Sequence, residues 1–220
     1  MSFSPQIGDV TEAGSGLWEV EVPSSYLVAG VDEAGRGCLA GPVVAAAVIL
    51  RQGTVLPDLT DSKLLTSAVR SRLAEMIYVV ATTWAVAAVE AEDIDATDIL
   101  RATLRAMTEA VRQLAPPPDL VLVDGNVRPH LPMPARAIIQ GDLRVPAISA
   151  ASVLAKVNRD HLMEGWALRF PAYGFAQHKG YGTVAHRDAI LRYGLSPIHR
   201  RTFAGVKEYV EDAGTQAWLW

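Results

Sequence analysis

Two adjacent carboxylates, Asp32 and Glu33, end an apolar run that begins at Leu27, and they lead directly into a glycine-rich turn. An apolar run of small and β-branched residues is typical of a buried strand, in which neighbouring residues point to opposite faces. Burying either carboxylate is costly unless a cation or the end of the strand relieves the cost. Glycines on both sides of Arg36 allow close backbone approach, and an arginine suits phosphate. Together these residues suggest phosphodiester chemistry.

Taken alone, the pair of acids has a second interpretation, a strand that leads into a solvated turn. Further carboxylates at strand ends would distinguish the two interpretations. A second apolar run follows three prolines, starts after Asp119 and ends in Asp124, with Gly125 placed to turn the chain. A third apolar run closes on Asp142. Each run therefore delivers an acid at its carboxyl end.

These strand ends predict a metal site. An open α/β sheet binds its ligands beyond the carboxyl ends of its strands. If the three strands are neighbours, their acids converge on one edge: Asp32, Glu33, Asp124 and Asp142. Four carboxylates this close would repel one another and lose their charge unless metal ions neutralised them. Oxygen ligands without nearby His or Cys suit Mg²⁺ or Mn²⁺ and not zinc.

Six ordered segments of the chain carry motifs of one known family. They are AGVDEAGRG (29–37), DSK (61–63), VDGN (123–126), GD (141–142), ISAASVLAKV (148–157) and HKGYGT (178–183). In this order and at this spacing they resemble ribonuclease HII, the bacterial type 2 ribonuclease H, over residues 27–207. One departure is Gly182, which stands where the family usually has proline and indicates a looser loop around Tyr181.

The resemblance implies an α/β fold, a ribonuclease H-like mixed sheet flanked by helices, with a small C-terminal helical appendage. It implies two-metal-ion hydrolysis of the RNA strand in RNA/DNA hybrids and cleavage at ribonucleotides embedded in duplex DNA, a step of ribonucleotide excision repair. It assigns catalysis and metal binding to the four acids. It also assigns recognition of the ribose 2′-hydroxyl to Gly35, Arg36, Gly37 and Tyr181, and contact with the scissile-strand backbone to Lys63.

Several of these side chains have simpler explanations. Lys63 could be a charge at the start of a helix, and Tyr181 could cap a turn, although its flat ring also suits stacking on a sugar or base. His178 and His199 could suggest acid or metal roles, but no two histidines have the spacing of metal ligands. We therefore expect both histidines on the surface or near phosphate.

Composition agrees with one compact enzyme. The chain has 220 residues, of which 50% are hydrophobic, enough for one core and an appendage. The lone cysteine, Cys38, cannot form an internal disulfide, which fits a reducing compartment. No apolar run approaches the ~18 residues of a membrane span, and no basic segment precedes an apolar core at the N-terminus. We expect a cytoplasmic monomer that does not bind membranes.

The charge of the chain is unusual for a protein that binds a polyanion, since its formal net charge is −4 and its pI is near 5.7. The charge is unevenly distributed. Between residues 156 and 208, nine basic residues stand against four acidic ones. This segment is either a nucleic-acid-binding face or a solvated surface. Bound metal ions would offset part of the remaining acid.

We divide the chain into a mobile tail (1–25), a ribonuclease H-like catalytic core (26–169) and a C-terminal helical segment that clamps substrate (170–220). Apolar runs predict a short strand over 18–22 and an antiparallel meander over 27–32, 43–50 and 83–89. Helices are predicted over 67–79, with Ser67 as the cap, and over 100–114, 148–168 and 184–193.

Three functions remain open at this stage. A two-metal endoribonuclease that acts on hybrids accounts for the acids and for the glycine–arginine turn. The alternative is a metal-dependent DNA nuclease of the same fold, because a fold does not determine a substrate. A non-catalytic nucleic-acid binder is the third, and it has no need of four costly acids.

Overall fold

The computed structural model describes residues 10–12, 18–20, 23, 25–57 and 65–210. Strands β1 (Val10–Glu12) and β2 (Trp18–Val20) form an antiparallel pair of their own. The predicted strand over 18–22 is therefore confirmed at 18–20, and its partner strand was not predicted. Lys63 lies outside the described residues, so its role stays a prediction.

Five further strands make the main sheet. They are β3 (Val28–Ala34), β4 (Val43–Leu50), β5 (Ala81–Val89), β6 (Leu120–Asp124) and β7 (Ala135–Ile138). Their order is β5-β4-β3-β6-β7. The predicted antiparallel meander is confirmed for β3, β4 and β5, while β6 runs parallel to β3 and β7 parallel to β6. The carboxyl ends of β3, β6 and β7 consequently share one edge of the sheet.

Six α-helices flank this mixed sheet within the described residues. They are α1 (Ser67–Val80), α2 (Ala91–Ala96), α3 (Ile99–Arg112), α4 (Pro146–Arg169), α5 (Phe175–His178) and α6 (Val184–Tyr193). The predicted helices are confirmed to within two residues at each end, and α6 matches in full. The cap of α1 is Thr66 and not Ser67, because the Thr66 side chain accepts a hydrogen bond from the Val69 amide. The predicted α/β class is also confirmed.

The core lies on both faces of the sheet, as the alternation along β4 shows. Ala45 and Ala47 face a cluster that includes Met107 of α3, whereas Ala46 and Val48 face α1 and α4. A strand that is covered on both faces has no solvent side, which explains why β4 is a continuous apolar run. Within the described residues, no helix combines the length and the apolar character that a membrane crossing requires.

Helix α4 approaches β3 at a glycine. A Cβ atom at Gly30 would lie 2.1 Å from the carbonyl carbon of Ala147, so no larger residue fits without moving the helix. This close approach places the first turns of α4 directly beside the end of β3. Ser152 of α4 consequently reaches Asp32 and hydrogen-bonds to its carboxylate.

The residues beyond α4 pack against the loop that follows β3. Phe175 and Ile198 are buried together with Ala40, which also forms an isolated β-bridge with His199. The carboxylate of Asp95 in α2 accepts hydrogen bonds from the backbone amides of residues 201 and 202. These contacts hold the C-terminal segment against the edge of the sheet at which β3 ends.

Candidate active site

Three of the four predicted acids meet at one edge of the sheet. Asp32 of β3, Asp124 of β6 and Asp142 each offer an oxygen atom, and these atoms lie within 4.8 Å of one another. The register of the strands explains this, because Val31 pairs with Val123 in the parallel ladder and the two acids follow directly. No other group of possible metal ligands in the described part of the chain comes together in this way.

Asp142 arrives by a different route from the other two acids. Strand β7 ends at Ile138, and Gln140 then adopts a left-handed conformation with φ of 56° before a short 3₁₀ helix, Gly141–Leu143. The Asp124 Oδ1 atom accepts hydrogen bonds from the amides of Gly141, at 2.7 Å, and Asp142, at 3.3 Å. The carboxylate of Asp124 therefore also holds the turn that brings Asp142 to the site.

The carboxyl of Asp32 is buried, with only 5% of the residue exposed. Its Oδ1 atom accepts a hydrogen bond of 2.7 Å from the Glu33 amide. Burial, and then the negative charges of Glu33 and Asp124, raise the pKa of Asp32 well above its ordinary value. Three clustered carboxylates are oxygen ligands of the kind that a hard divalent cation prefers. A bound cation would also favour the charged form of Asp32, because its charge offsets the repulsion between the carboxylates.

Glu33 does not belong to the group of three acids. Its Oε1 atom lies 3.2 Å from Arg36 Nη1, and its side chain lines a cleft of about 90 Å³ together with Asp124 and Asn126. Adjacent strand residues point to opposite faces, so Asp32 and Glu33 cannot both aim at the same point. Glu33 is nevertheless close enough for its charge to act on Asp32.

The glycine–arginine turn after β3 is held from inside the protein. Gly35 has φ of 95°, and a Cβ atom there would lie 1.9 Å from Arg159 Nε, so both the backbone and the space require glycine. Arg200 is completely buried and donates hydrogen bonds to the carbonyls of Gly35, at 2.7 Å, and Arg36, at 2.8 Å. Burial lowers the pKa of Arg200 to about 10, which keeps it protonated at neutral pH.

Arg159 of α4 joins this turn to the loop that carries Tyr181. It is completely buried, and its guanidinium donates to the carbonyls of Ala40, Pro42 and Lys179 at 2.8–3.1 Å. Two of the nine basic residues counted between 156 and 208, Arg159 and Arg200, thus bind backbone carbonyls and offer nothing to a phosphate. The interpretation of the whole segment as a basic face was therefore too broad.

The sequence did carry a signal for the burial of Arg159. The residue lies four positions after Ala155 and four before Met163, both of which are buried on the same side of α4. An arginine inside an apolar helical stripe must find partners for its donors. No comparable signal marks Arg200, which lies in no helix or strand.

Tyr181 lies beside the loop that continues from the glycine turn. The residue is 44% exposed, and Lys156 Nζ lies 5.7 Å from the centroid of its ring. Burial, followed by the neighbouring Cys38 thiol, raises the pKa of the Tyr181 hydroxyl. The Leu39 amide donates to the carbonyl of Gly180 at 2.8 Å, so the loop is joined to the segment that follows the turn.

Gly182 packs closely in this loop. A Cβ atom there would lie 3.0 Å from Leu39 Cδ1, and its carbonyl accepts a hydrogen bond from Arg187 Nε. The Tyr181 carbonyl accepts from the Thr183 amide at 2.8 Å. These contacts hold the loop on both sides of the position that departs from the family pattern.

A second, more voluminous cavity lies away from these groups. It has a volume of about 650 Å³ and is formed between β5 and α4, with Val86, Ala88, Trp166 and Arg169 among its lining residues. None of the predicted site residues lines it. Its position shows that cavity size does not locate the chemistry in this protein.

A mixed five-stranded sheet with flanking helices and carboxylates at the ends of parallel strands defines a nuclease of the ribonuclease H-like class. Comparison with known proteins agrees, since the family model described as Ribonuclease HII matches residues 29–206. The Ribonuclease HII of Coxiella burnetii (strain RSA 493 / Nine Mile phase I) is 52% identical over 188 residues, covering 86% of this chain and 93% of its own.

Two solved structures share the fold. The ribonuclease H2 of Pyrococcus horikoshii OT3 has a TM-score of 0.72 at 25% identity and covers 84% of this chain and 97% of its own. The RNase HII of Archaeoglobus fulgidus, solved in complex with PCNA, has a TM-score of 0.69 at 26% identity and covers 81% and 95%. The chain belongs to the ribonuclease HII family. Its activity is that of a type 2 ribonuclease H, an endonucleolytic phosphodiester hydrolase.

The raised pKa of Asp32 predicts how stability depends on pH in the metal-free protein. The native state retains a proton on Asp32 that the unfolded chain releases above its ordinary pKa of 3.8, so the free energy of unfolding should fall as pH rises through the native pKa. In chelator, Asp32→Asn should therefore melt at a higher temperature than the wild type at pH 8. Saturating Mg²⁺ should remove most of this difference by stabilising the wild type. A lower melting temperature for the variant in chelator would contradict the assignment.

Proposed function

We propose that this protein hydrolyses the RNA strand of RNA/DNA hybrids, cuts at ribonucleotides embedded in duplex DNA, and uses Mg²⁺ or Mn²⁺. The observation that carries the proposal is the approach of Asp32, Asp124 and Asp142 to within 4.8 Å, in a chain of the ribonuclease HII family. Pure binding of nucleic acid would not require three carboxylates concentrated at one point, because their mutual repulsion is costly.

In this proposal, Asp32, Asp124 and Asp142 hold the metal ions, and Glu33 completes the set from the adjoining cleft. Bound divalent ions would activate the attacking water and stabilise the leaving 3′-oxygen. The protein contributes the arrangement of the carboxylates. Hydrogen bonds to Asp32 and Asp124 fix two of them before substrate arrives, so little reorganisation is required during the reaction.

Recognition of the ribose falls to the turn Gly35–Arg36–Gly37 and to Tyr181. A 2′-hydroxyl donates and accepts hydrogen bonds, and it distinguishes RNA from DNA at a single nucleotide. The carbonyls of Gly35 and Arg36 are bound by Arg200 inside the protein, which fixes the plane of the turn. The half-exposed ring of Tyr181 is available for stacking on the sugar.

Residues outside the acid cluster and the ribose-recognising turn hold the substrate in place. Lys63 contacts the backbone of the scissile strand, and the segment from residue 170 onward clamps the duplex against the core of residues 26–169. The protein acts as a monomer in the cytoplasm, as part of ribonucleotide excision repair. Contacts between the C-terminal segment and the loop after β3 support the clamp, because this loop directly follows the strand that carries Asp32 and Glu33.

One assay tests the substrate assignment. Three end-labelled duplexes of equal length and sequence are compared, an RNA/DNA hybrid, a DNA duplex with one ribonucleotide, and an all-DNA duplex. We expect metal-dependent cleavage of the first two and none of the third. Cleavage of the all-DNA duplex at a comparable rate would favour a DNA nuclease, and binding of all three without cleavage would favour a non-catalytic protein.

Replacement of Tyr181 tests ribose recognition in the same assay. Tyr181→Ala should reduce kcat/KM on the duplex with one ribonucleotide by about tenfold more than on the long hybrid, where shape and many phosphate contacts also hold the substrate. Tyr181→Phe separates the hydroxyl from the ring, because it removes only the oxygen. Equal losses on both substrates would show that Tyr181 serves general binding or folding.

A further inference from the structure

Three histidines gather behind Tyr181, in a part of the protein that the proposed chemistry does not use. His186 and His199 are buried, with exposed fractions of 0% and 1%, and their Nε2 atoms lie 3.0 Å apart. His178 stacks on His186 with 4.3 Å between the ring centroids. The expectation that His199 lies on the surface was therefore wrong, because its spacing in the sequence does not reveal that the chain folds over it.

The hydrogen-bond partners determine which ring nitrogen carries each proton. The Ser196 amide donates to His199 Nδ1 at 2.9 Å, so this nitrogen must be the acceptor and His199 carries its proton on Nε2. The approach of the same Nδ1 to the Ser196 carbonyl, at 3.3 Å, would need a proton there and is incompatible with the amide. His199 Nε2 consequently donates to His186.

His186 then has only one arrangement open to it. Its Nε2 atom accepts from His199, so its single proton lies on Nδ1, which is 2.9 Å from the carbonyl oxygen of Tyr181. The three hydrogen bonds run in one direction, from the Ser196 amide through both imidazoles to the Tyr181 carbonyl. Both rings must be neutral for this, and burial agrees, because it lowers the pKa of each to about 4.

The groups around these hydrogen bonds also favour neutral imidazole rings at His186 and His199. His178 accepts at Nδ1 from the Gly180 amide, at 3.2 Å, and its Nε2 donates to the Tyr173 carbonyl at 2.6 Å. Of the charged groups, Arg187 acts on His186 and opposes a positive charge on it. Phe175 closes the cluster with its ring 5.5 Å from that of His186 and 5.8 Å from that of His199.

The hydrogen bonds begin at the Ser196 amide, in a segment that also contacts the glycine–arginine turn. His199 is followed by Arg200, whose guanidinium holds the carbonyls of Gly35 and Arg36 and whose amide donates to the Leu39 carbonyl. The segment of residues 196–200 thus bonds to the turn through the Arg200 side chain. Through the two histidines it also bonds to the Tyr181 loop. Both elements proposed to recognise the ribose are attached to the same short segment.

We propose that His186 and His199 are positioning residues, whose directed hydrogen bonds hold Tyr181 in a fixed relation to the glycine–arginine turn. This inference rests on the proposed role of Tyr181 in ribose recognition. Apolar side chains of similar size would fill the same space without the cost of burying polar nitrogens. Two imidazoles in a defined tautomeric state add what packing cannot, a fixed direction for the Tyr181 carbonyl and hence for the ring.

The structural part of this inference is tested without substrate. In protein labelled with ¹⁵N-histidine at pH 7, NMR should show His186 with its proton on Nδ1, and His199 with its proton on Nε2. The His186→Asn and His199→Gln variants assign the two resonances. A proton on Nε2 of His186, or a charged imidazolium at either position, would overturn the chain of hydrogen bonds.

The functional part is tested with the two ribose-containing duplexes. His186→Leu removes the side-chain donor to the Tyr181 carbonyl and leaves only the Thr183 amide on it. We expect kcat/KM on the single-ribonucleotide duplex to fall about tenfold, with a smaller loss on the long hybrid. His186→Asn, whose amide nitrogen can occupy the position of Nδ1, should recover most of this loss. Phe175→Leu is the matched control, because it loosens the same cluster without removing a hydrogen bond to Tyr181, and it should affect both substrates equally.

Tyr181→Ala serves as the background for a double variant. If His186 acts through Tyr181, His186→Leu should cause no further selective loss in that background. A selective loss that persists in the Tyr181→Ala background would overturn the positioning role. Equal losses on both substrates when His186→Leu is made in the otherwise wild-type protein would also overturn it. Failure of the underlying function is distinguishable, because Tyr181→Ala alone would then lose activity equally on both duplexes while the tautomers of the histidines stayed as assigned.

Discussion

Asp32→Asn and Asp124→Asn are each expected to reduce cleavage of an RNA/DNA hybrid by about 10³-fold or more while binding of the hybrid survives. Asparagine keeps the shape of aspartate and removes the charge that holds a divalent cation. It also keeps an oxygen that can accept from the Gly141 amide, so the Asp124 variant should remain folded. Single-turnover kinetics and a filter-binding assay in Ca²⁺ or chelator separate the two effects.

Asp119 provides the matched control, because it directly precedes β6 at the end opposite to Asp124. Its Oδ2 atom accepts a hydrogen bond from the Leu27 amide at 2.8 Å, and it belongs to no cluster of acids. Asp119→Asn should cleave at close to the wild-type rate. Turnover near the wild-type value in the Asp32 or Asp124 variant, at equal metal concentration, would remove these carboxylates from the catalytic centre.

Arg200→Met is the substitution with the largest expected effect on stability. The carbonyls of Gly35, Arg36 and Gly41 would each lose the guanidinium donor, and only the Gly35 carbonyl would keep a second, longer bond, from the Cys38 amide at 3.4 Å. Leaving buried polar groups without partners is expected to cost about 3–5 kcal/mol in the free energy of unfolding. Urea denaturation followed by circular dichroism measures this loss.

Arg201→Met is the natural comparison, since Arg201 is the next residue along and is exposed. Its side chain should contribute within about 0.5 kcal/mol, as is usual for surface positions. If the two variants unfolded at the same urea concentration, the carbonyls of the turn would have other partners, and Arg200 could not be what fixes the turn.

The sheet and the acids could be predicted because strands that carry chemistry at their ends leave a local pattern. The apolar run before Asp124 is bounded by prolines and a glycine, and this punctuation gives the strand, its end and the position of the acid. The adjacent positions of Asp32 and Glu33 are equally local. What the pattern could not decide was which of the two would join the cluster, because this depends on which face of β3 meets α4 at Gly30.

The interior polar groups could not be predicted for a different reason. Arg200 and His199 lie outside the helices and strands, and their burial results from contacts between segments far apart in the chain, such as the bond from Arg200 to Gly35. His186 lies on the buried face of α6 with Ala189 and Ile190, but this spacing does not reveal its partner His199. Residue type alone places arginine on the surface and leaves the burial of histidine undecided. Only the folded arrangement of residues 35–42 against residues 178–200 supplies the carbonyls and rings that make their burial possible.

The double use of Asp124 couples two of the three clustered carboxylates to one side chain. Asp142 lies beyond the end of β7, and its turn is held by the two amide hydrogen bonds that Asp124 accepts and by the Ser149 hydroxyl, which donates to the Asp142 carbonyl. The place of the third carboxylate is therefore coupled to that of β6, which carries Asp124. Asp124→Ala would therefore remove one carboxylate directly and also displace Asp142, because the turn that carries Asp142 would lose its acceptor.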